Sequence, residues 1–293
     1  GLAPLWEAAD WVSKVIPLTE KRAAKPASSL IWQLRPGVAA IFPNSFGSAK
    51  DLWRNGIPRR IGRRGRWRGA MLTDRLPTWP SGHGVGQWHQ LSYYLEFPAV
   101  FGDESWDATC PPLRIPDAEA RAQACGMVPD IDWLVLAPGA AYGPAKQWPA
   151  ERFAEVAAWW CANRGRVAVV GTGKERPAGE LIAERVPGIL NLAGETDMVG
   201  LMAALSAARA VVANDSGAMH LAAGLGRDGV AVFGSTDPVA TGPIGGRWIV
   251  LRDALSCGPC FQRTCSRSDR PYECLELILS ETVIRALQQL GSS

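Results

Sequence analysis

The chain has 293 residues, of which 47% are hydrophobic and 20% charged, with a net charge of +3. This length can hold two domains with a core each, and the composition excludes a disordered polymer. The small net charge gives no electrostatic footprint for bulk nucleic-acid binding, and no apolar run approaches the ~18 residues of a membrane span.

In chain order, residues 4–16 place Leu5, Ala8, Ala9 and Val12 at helical spacing, and residues 20–30 are small and basic, as in a surface connection. Val38 to Phe42 predicts a strand. Pro43-Asn44-Ser45-Phe46 then turns into a helix that Gly56 and Pro58 stop after about Asn55. Between Arg54 and Arg68 lie seven arginines and no acidic residue, interrupted by glycines. The run predicts a loop or short strands. Arginine used without lysine suits bidentate contacts to phosphate or carboxylate, so Arg63 and Arg64 are candidate contacts to an anionic acceptor. His83 and His89 fit no zinc spacing and are expected to be surface or packed residues. Pro111, Pro112 and Pro116, followed by a polar helix from Asp117 to about Cys125, predict a domain boundary near residue 125. Most of the thirteen tryptophans are expected in cores and cleft walls.

From residue 131 onward, short apolar strands alternate with helices. Strands are predicted at Trp133–Ala137, Val167–Val170, Ile189–Leu192, Ala210–Ala213 and Val230–Phe233. Helices are predicted at 150–163, 174–186, 197–207 and 217–225. Such alternation implies a parallel sheet covered on both faces, with ligands at the carboxyl ends of its strands. Those ends carry the polar residues. Pro138 to Pro149 is a Gly/Pro loop holding Lys146. Gly171-Thr172-Gly173-Lys174-Glu175 matches neither a Walker A loop, which needs Ser or Thr after the lysine, nor a dinucleotide fingerprint, because Arg176 stands where Gly is required. Asn214-Asp215-Ser216-Gly217 joins a strand to a helix, whose free amino end can cradle phosphate. Asp215 can accept from sugar hydroxyls and Ser216 can donate to phosphate. Gly217 lets a ligand approach the backbone, and His220 sits one turn further on. An ordinary capped helix with a packed histidine would give the same pattern.

The seven cysteines comprise Cys110, Cys125 and Cys161, scattered singly, and a C-terminal group, Cys257, Cys260, Cys265 and Cys274. The scattered singles and the odd total point to a reducing cytoplasm. The group opens with C-x-x-C, but its spacing is no standard zinc signature. It could hold zinc or an iron–sulfur cluster, form a local disulfide staple, or stay reduced. Residues 281–290 predict a last amphipathic helix.

Four stretches together resemble glycosyltransferase family 9. They are Pro138-Gly-Ala-x-x-Gly-Pro-Ala-Lys-x-Trp-Pro149, Asn191-Leu-Ala-Gly-Glu-Thr196, Asn214-Asp-Ser-Gly-x-Met-His220 and Pro43-Asn-Ser-Phe46. Arg59–Gly69 is similar to a further segment of that family, with extra arginines. The resemblance implies an α/β GT-B fold of two Rossmann-like domains facing across a cleft. The N-terminal domain (1–125) would bind the acceptor and the C-terminal domain (126–293) the nucleotide-sugar. It implies inverting, metal-independent transfer of heptose from ADP-heptose to the inner core of lipopolysaccharide (heptosyl-Kdo-lipid A), without a cofactor, in the cytoplasm at the inner membrane. By family pattern Lys146 would contact the diphosphate, Glu175 the adenosine side and Asp215 the heptose, with Ser216, Gly217 and His220 completing the site. The family's base, an Asp in a Gly-rich loop after a first strand, has no match here. The first domain is therefore expected to be incomplete, and no catalytic residue is carried over; Asp51 and Asp74 are the substitutes to consider. A non-catalytic sugar-nucleotide-binding protein and a nucleotide-sugar epimerase or hydrolase of the same fold are the alternatives.

Overall fold

The structure is a computed structural model that describes residues 2–17, 31, 33–65, 67–77, 89–102 and 111–291. The connection expected at 20–30, most of the Pro/Trp-rich stretch with His83, and Arg66 and Cys110 lie outside the described residues. The chain divides into two compact units. One comprises Gly1–Val15 with Thr109–Ser293, and the other Ile16–Ala108. The division therefore falls before the boundary expected near 125. The reason is packing. Met127 and Ala122, from the polar helix and its exit, are buried in the core of the larger unit, and Leu113 N–H donates to Gly224 O at 2.7 Å. The N-terminal segment joins that unit too: its short helix α1 (Ala3–Glu7) ends at Ala8, which is buried in the same core and whose carbonyl accepts from Arg114 N–H. Helix α1 covers only part of the predicted 4–16.

The smaller unit holds β1 (Val38–Ile41), α2 (Phe46–Arg54), β2 (Arg59–Arg63), β3 (Asp74–Leu76) and α3 (Gln90–Ala99). Its strands form a parallel sheet in the order β1-β2-β3. Ser45 caps α2 by accepting from Ser48 N–H at 3.2 Å, as the turn chemistry predicts. His89 caps α3 through Nδ1 on Leu91 N–H, consistent with a packed rather than ligating role. The arginine run becomes the central strand. It can do so because its guanidinium groups find internal partners: Arg59 pairs with Asp74 at 3.0 Å, and Arg60 donates to Met71 O at 2.6 Å.

In the larger unit, α4 (Ala118–Ala124) precedes β4 (Trp133–Ala137), α5 (Ala150–Asn163), β5 (Arg166–Val169), α6 (Arg176–Arg185) and β6 (Leu190–Asn191). There follow α7 (Met198–Ser206), β7 (Ala208–Asn214), α8 (Gly217–Gly224), β8 (Gly229–Phe233), α9 (Pro238–Thr241), β9 (Trp248–Arg252), α10 (Glu273–Glu276) and α11 (Ser280–Gly291). The strands make one parallel sheet ordered β6-β5-β4-β7-β8-β9. Each face carries a core, one built on Val135, Ala213 and Phe233 and the other on Leu134, Val212 and Val232. Each such fully buried Val or Leu is worth about 1.5–3 kcal/mol of burial. This two-sided demand is why the strands read as continuous apolar runs rather than as alternating ones. Strand β9 is half-exposed at the sheet edge and was not predicted. Trp133, Trp148 and Trp160 are buried with their indole N–H groups on carbonyls, whereas Trp6, Trp11, Trp53 and Trp67 are exposed. The described tryptophans are thus divided between core and surface.

Candidate functional site

The strand order reverses between β4 and β7, which places the loops after these two strands side by side. Asn214 locks them together, donating through Nδ2 to Pro138 O at 2.6 Å and accepting from Trp148 N–H through Oδ1 at 3.1 Å. The β4 loop is shaped around a short 3-10 turn at Pro144–Lys146. Gly143 precedes it at φ +148°, where a Cβ would stand 2.5 Å from Arg263 O, so only glycine fits. The turn delivers the Lys146 Nζ to Asp215 Oδ2 at 2.5 Å. The ammonium also lies 4.8 Å from the Tyr142 ring centroid.

Asp215 is 4% exposed. The same Oδ2 also accepts from Thr236 Oγ1 at 2.6 Å. This charge is buried but well supplied with donors, as a buried charge must be. Next to it, Ser216 opens α8. Unlike Ser45, Asp197 and Asp237, it makes no side-chain cap. Its Oγ is buried without a hydrogen-bond partner. The first N–H groups of any helix lack intrahelical acceptors, so the amino end of α8 offers both those donors and an unused hydroxyl. A Cβ on Gly217 would meet nothing within 4 Å, so packing does not require glycine there. His220 lies exposed on the next turn of α8.

Glu175 stands at the carboxyl end of β5. Its Oε2 accepts from Thr172 N–H at 2.7 Å and Thr172 Oγ1 at 2.6 Å. Its stem runs beside Gly139, where a Cβ would stand 2.5 Å from Glu175 Cγ. Glycine at 139 thus makes room for Glu175 against the β4 loop. Lys146, Glu175, Asp215, Ser216, Gly217 and His220 are therefore gathered along one edge of one sheet. Thr236 was missed at the sequence level. The Gly234-Ser-Thr-Asp-Pro238 turn after β8 was its only signal.

The smaller unit separates the two candidate acceptor residues. Arg63 is 2% exposed, pairs with Glu96 at 2.7 Å, donates to Pro77 O at 2.9 Å and lies over the Tyr93 ring. Arg68, also buried, donates through Nε to Arg63 O at 2.8 Å. Arg63 is thus an internal brace and not a surface contact, which corrects its assignment to the acceptor. Arg64, just beyond the end of β2, is exposed. Asp74 is no ready base: the Arg59 and Thr73 hydrogen bonds hold its carboxyl below the usual range. Asp51 is exposed on α2.

The fold is the GT-B class, built from Rossmann-like α/β units with parallel sheets. The model of glycosyltransferase family 9 (heptosyltransferase) matches residues 30–269, and the chain belongs to that family. Lipopolysaccharide heptosyltransferase 2 of Escherichia coli K12 is 33% identical over 73% of this chain and 64% of its own length. The chain thus spans under two thirds of that relative. Lipooligosaccharide heptosyltransferase 2 of Haemophilus ducreyi is 28% identical over 86% of this chain and 76% of its own length. The solved structure of E. coli ADP-heptose lps heptosyltransferase II superposes with a TM-score of 0.80 at 27% identity, covering 99% of this chain and 86% of that one.

Proposed function

We propose that this chain transfers heptose from ADP-heptose to the inner core of lipopolysaccharide. The larger unit takes the donor, and the smaller unit takes the acceptor with Arg64 among its contacts. The observation that carries the proposal is the meeting of Lys146 with Asp215 beside the uncapped amino end of α8. The names of the similar proteins, heptosyltransferases acting on lipopolysaccharide or lipooligosaccharide, support the choice of sugar and acceptor.

The chemistry follows from charge. An acceptor hydroxyl attacks the anomeric carbon, the bond to the diphosphate breaks with inversion, and ADP leaves as an anion while the hydroxyl proton passes to a base. Lys146 has three N–H donors, so it can keep Asp215 and still reach a phosphate. Together with the α8 N–H groups and Ser216 Oγ it opposes the charge that grows on ADP. Asp215 orients Lys146 and accepts from a heptose hydroxyl, and Glu175 accepts from the adenosine side. His220 and the open face of Gly217 complete the cradle. The acceptor is a glycolipid, so the work is placed in the cytoplasm with peripheral contact at the inner membrane. Among the described residues no helix is long and apolar enough to cross a membrane.

The test is calorimetric titration with ADP-heptose. Lys146→Ala should weaken binding roughly 10- to 100-fold, as expected for loss of a charge-assisted hydrogen bond, and Ser216→Ala by about tenfold. Unchanged affinity in both variants, with wild-type circular dichroism, would discard the proposed donor site.

A further inference from the structure

Residues 253–272 join β9 to α10 without helix or strand, a long irregular stretch for a compact unit. With Cys274 just beyond, the stretch carries the four C-terminal cysteines, which line one cavity and are in no disulfide. It also holds three arginines, Arg263, Arg267 and Arg270. Two of them are neutralised locally. Arg267 pairs with Asp269 and with Glu273 at 2.6 Å each, and Arg270 pairs with Glu273 at 2.8 Å. Arg263 is exposed and makes no ion pair or side-chain hydrogen bond among the described residues. Its guanidinium lies 5.3 Å from the Tyr142 ring centroid, and Lys146 approaches the same ring at 4.8 Å. One aromatic ring thus gathers two cations from loops far apart in the chain. An anion beside that ring is attracted by both.

Backbone contacts fix the arrangement. Ala145 N–H donates to Arg263 O at 3.1 Å, Gly143 leaves room for that same carbonyl, and the Tyr142 hydroxyl donates to Phe261 O. Phe261 N–H donates in turn to Ser235 O at 2.8 Å, which ties the stretch to the turn after β8. Arg263 is therefore held to the Lys146 turn.

We infer that Arg263 is a second cation for the diphosphate of the nucleotide-sugar, a role that rests on the donor site around Lys146. Lys146 sits on Asp215 at 2.5 Å, so the pair as a whole carries no net charge and its pull on a phosphate is local. An arginine without a carboxylate of its own adds an uncompensated positive charge. Its planar fork can take two phosphate oxygens at once. Cation–π contacts at exposed sites are weak, so the guanidinium can swing from the ring onto a phosphate.

The test is calorimetric titration of the full chain with ADP and with adenosine, which lacks the phosphates. Arg263→Gln should weaken ADP binding about tenfold and leave adenosine within about twofold, and Arg263→Lys should recover part of the loss. Arg270→Gln removes the same charge from the same loop and should leave both ligands within about twofold. Equal weakening of ADP and adenosine in Arg263→Gln would mean that the residue only props the loop, which overturns the inference. So does unchanged ADP affinity in Arg263→Gln beside a Lys146→Ala variant that loses it, and that outcome leaves the donor site standing. A wild-type chain that binds no ADP overturns both. Should Arg263→Gln fail to fold, phenylglyoxal labelling of the wild-type chain gives a second reading. Saturating ADP, unlike adenosine, should slow labelling of Arg263 about fivefold or more in peptide mass maps, and an unchanged rate refutes the inference.

Discussion

Arg63 and Arg64 are sequence neighbours with opposite fates, because the strand ends between them. Strand β2 ends at Arg63, and Arg64 stands just beyond it. One guanidinium enters the space between Glu96, Pro77 O and Tyr93, and the next faces water. Arg63→Ala should therefore cost about 2–4 kcal/mol of stability, because it orphans Pro77 O and Tyr93 O and unpairs Glu96. Arg64→Ala should stay within about 0.5 kcal/mol and instead raise the KM for acceptor. Urea unfolding and acceptor kinetics separate the two, and equal destabilisation would refute the assignment. Asp215 poses a related question. Asp215→Asn keeps the shape but leaves the Lys146 ammonium without its counter-charge. Donor affinity should fall by about tenfold or more, with Thr236 still able to donate to the amide oxygen.

The β4–α5 loop works as an element because three other segments hold it. Asn214 ties both its ends, Glu175 lies on its first glycine, and the cysteine loop supports its turn. Gly143→Ala places a Cβ against the Arg263 carbonyl at a φ costly for any other residue, so it should destabilise by about 1–3 kcal/mol. Donor affinity should fall with it, since Lys146 follows three residues on. Thermal melting together with donor titration measures both, and a fully stable variant with intact binding would show that the turn is not positioned in this way. Helix α8 shows the limit of reading an element by its caps. Asn214-Asp-Ser-Gly announces a helix start, but a capping serine and an uncapping one are the same letter.

At the scale of the whole molecule, five carboxylates among the described residues are held low by hydrogen bonds, Asp74, Glu155, Asp228, Asp269 and Glu273, and the first three illustrate the acid-sensitive design. Asp74 is held low by its Arg59 hydrogen bonds and Glu155 by the Ser280 hydroxyl. For Asp228, burial raises the pKa and the Arg247 hydrogen bonds overcome it. Each folded-state pKa lies below its unfolded value of roughly 4. Their stabilisation is thus fully present above that pH and is lost as pH falls through the folded values. Melting temperature should drop steeply below about pH 4, and Asp228→Asn should flatten that drop. Identical acid slopes in wild type and variant would reject the linkage.

How much of this was legible in the sequence differs between the two units. Trp133–Ala137 and the helix at 150–163 were read to the residue, because a strand buried on both faces is one apolar run and Pro149 marks the helix start. Edge strand β9 escaped, since half-exposure leaves no clean period. By itself the sequence determined the alternation of strand and helix and which residues stand at strand ends, because both follow from local burial and turn chemistry. Only the tertiary structure decided that Lys146 meets Asp215, that Arg63 is internal and Arg64 is not, and that four cysteines share one cavity. Those facts depend on contacts between segments far apart in the chain, and such contacts leave no local periodicity to read.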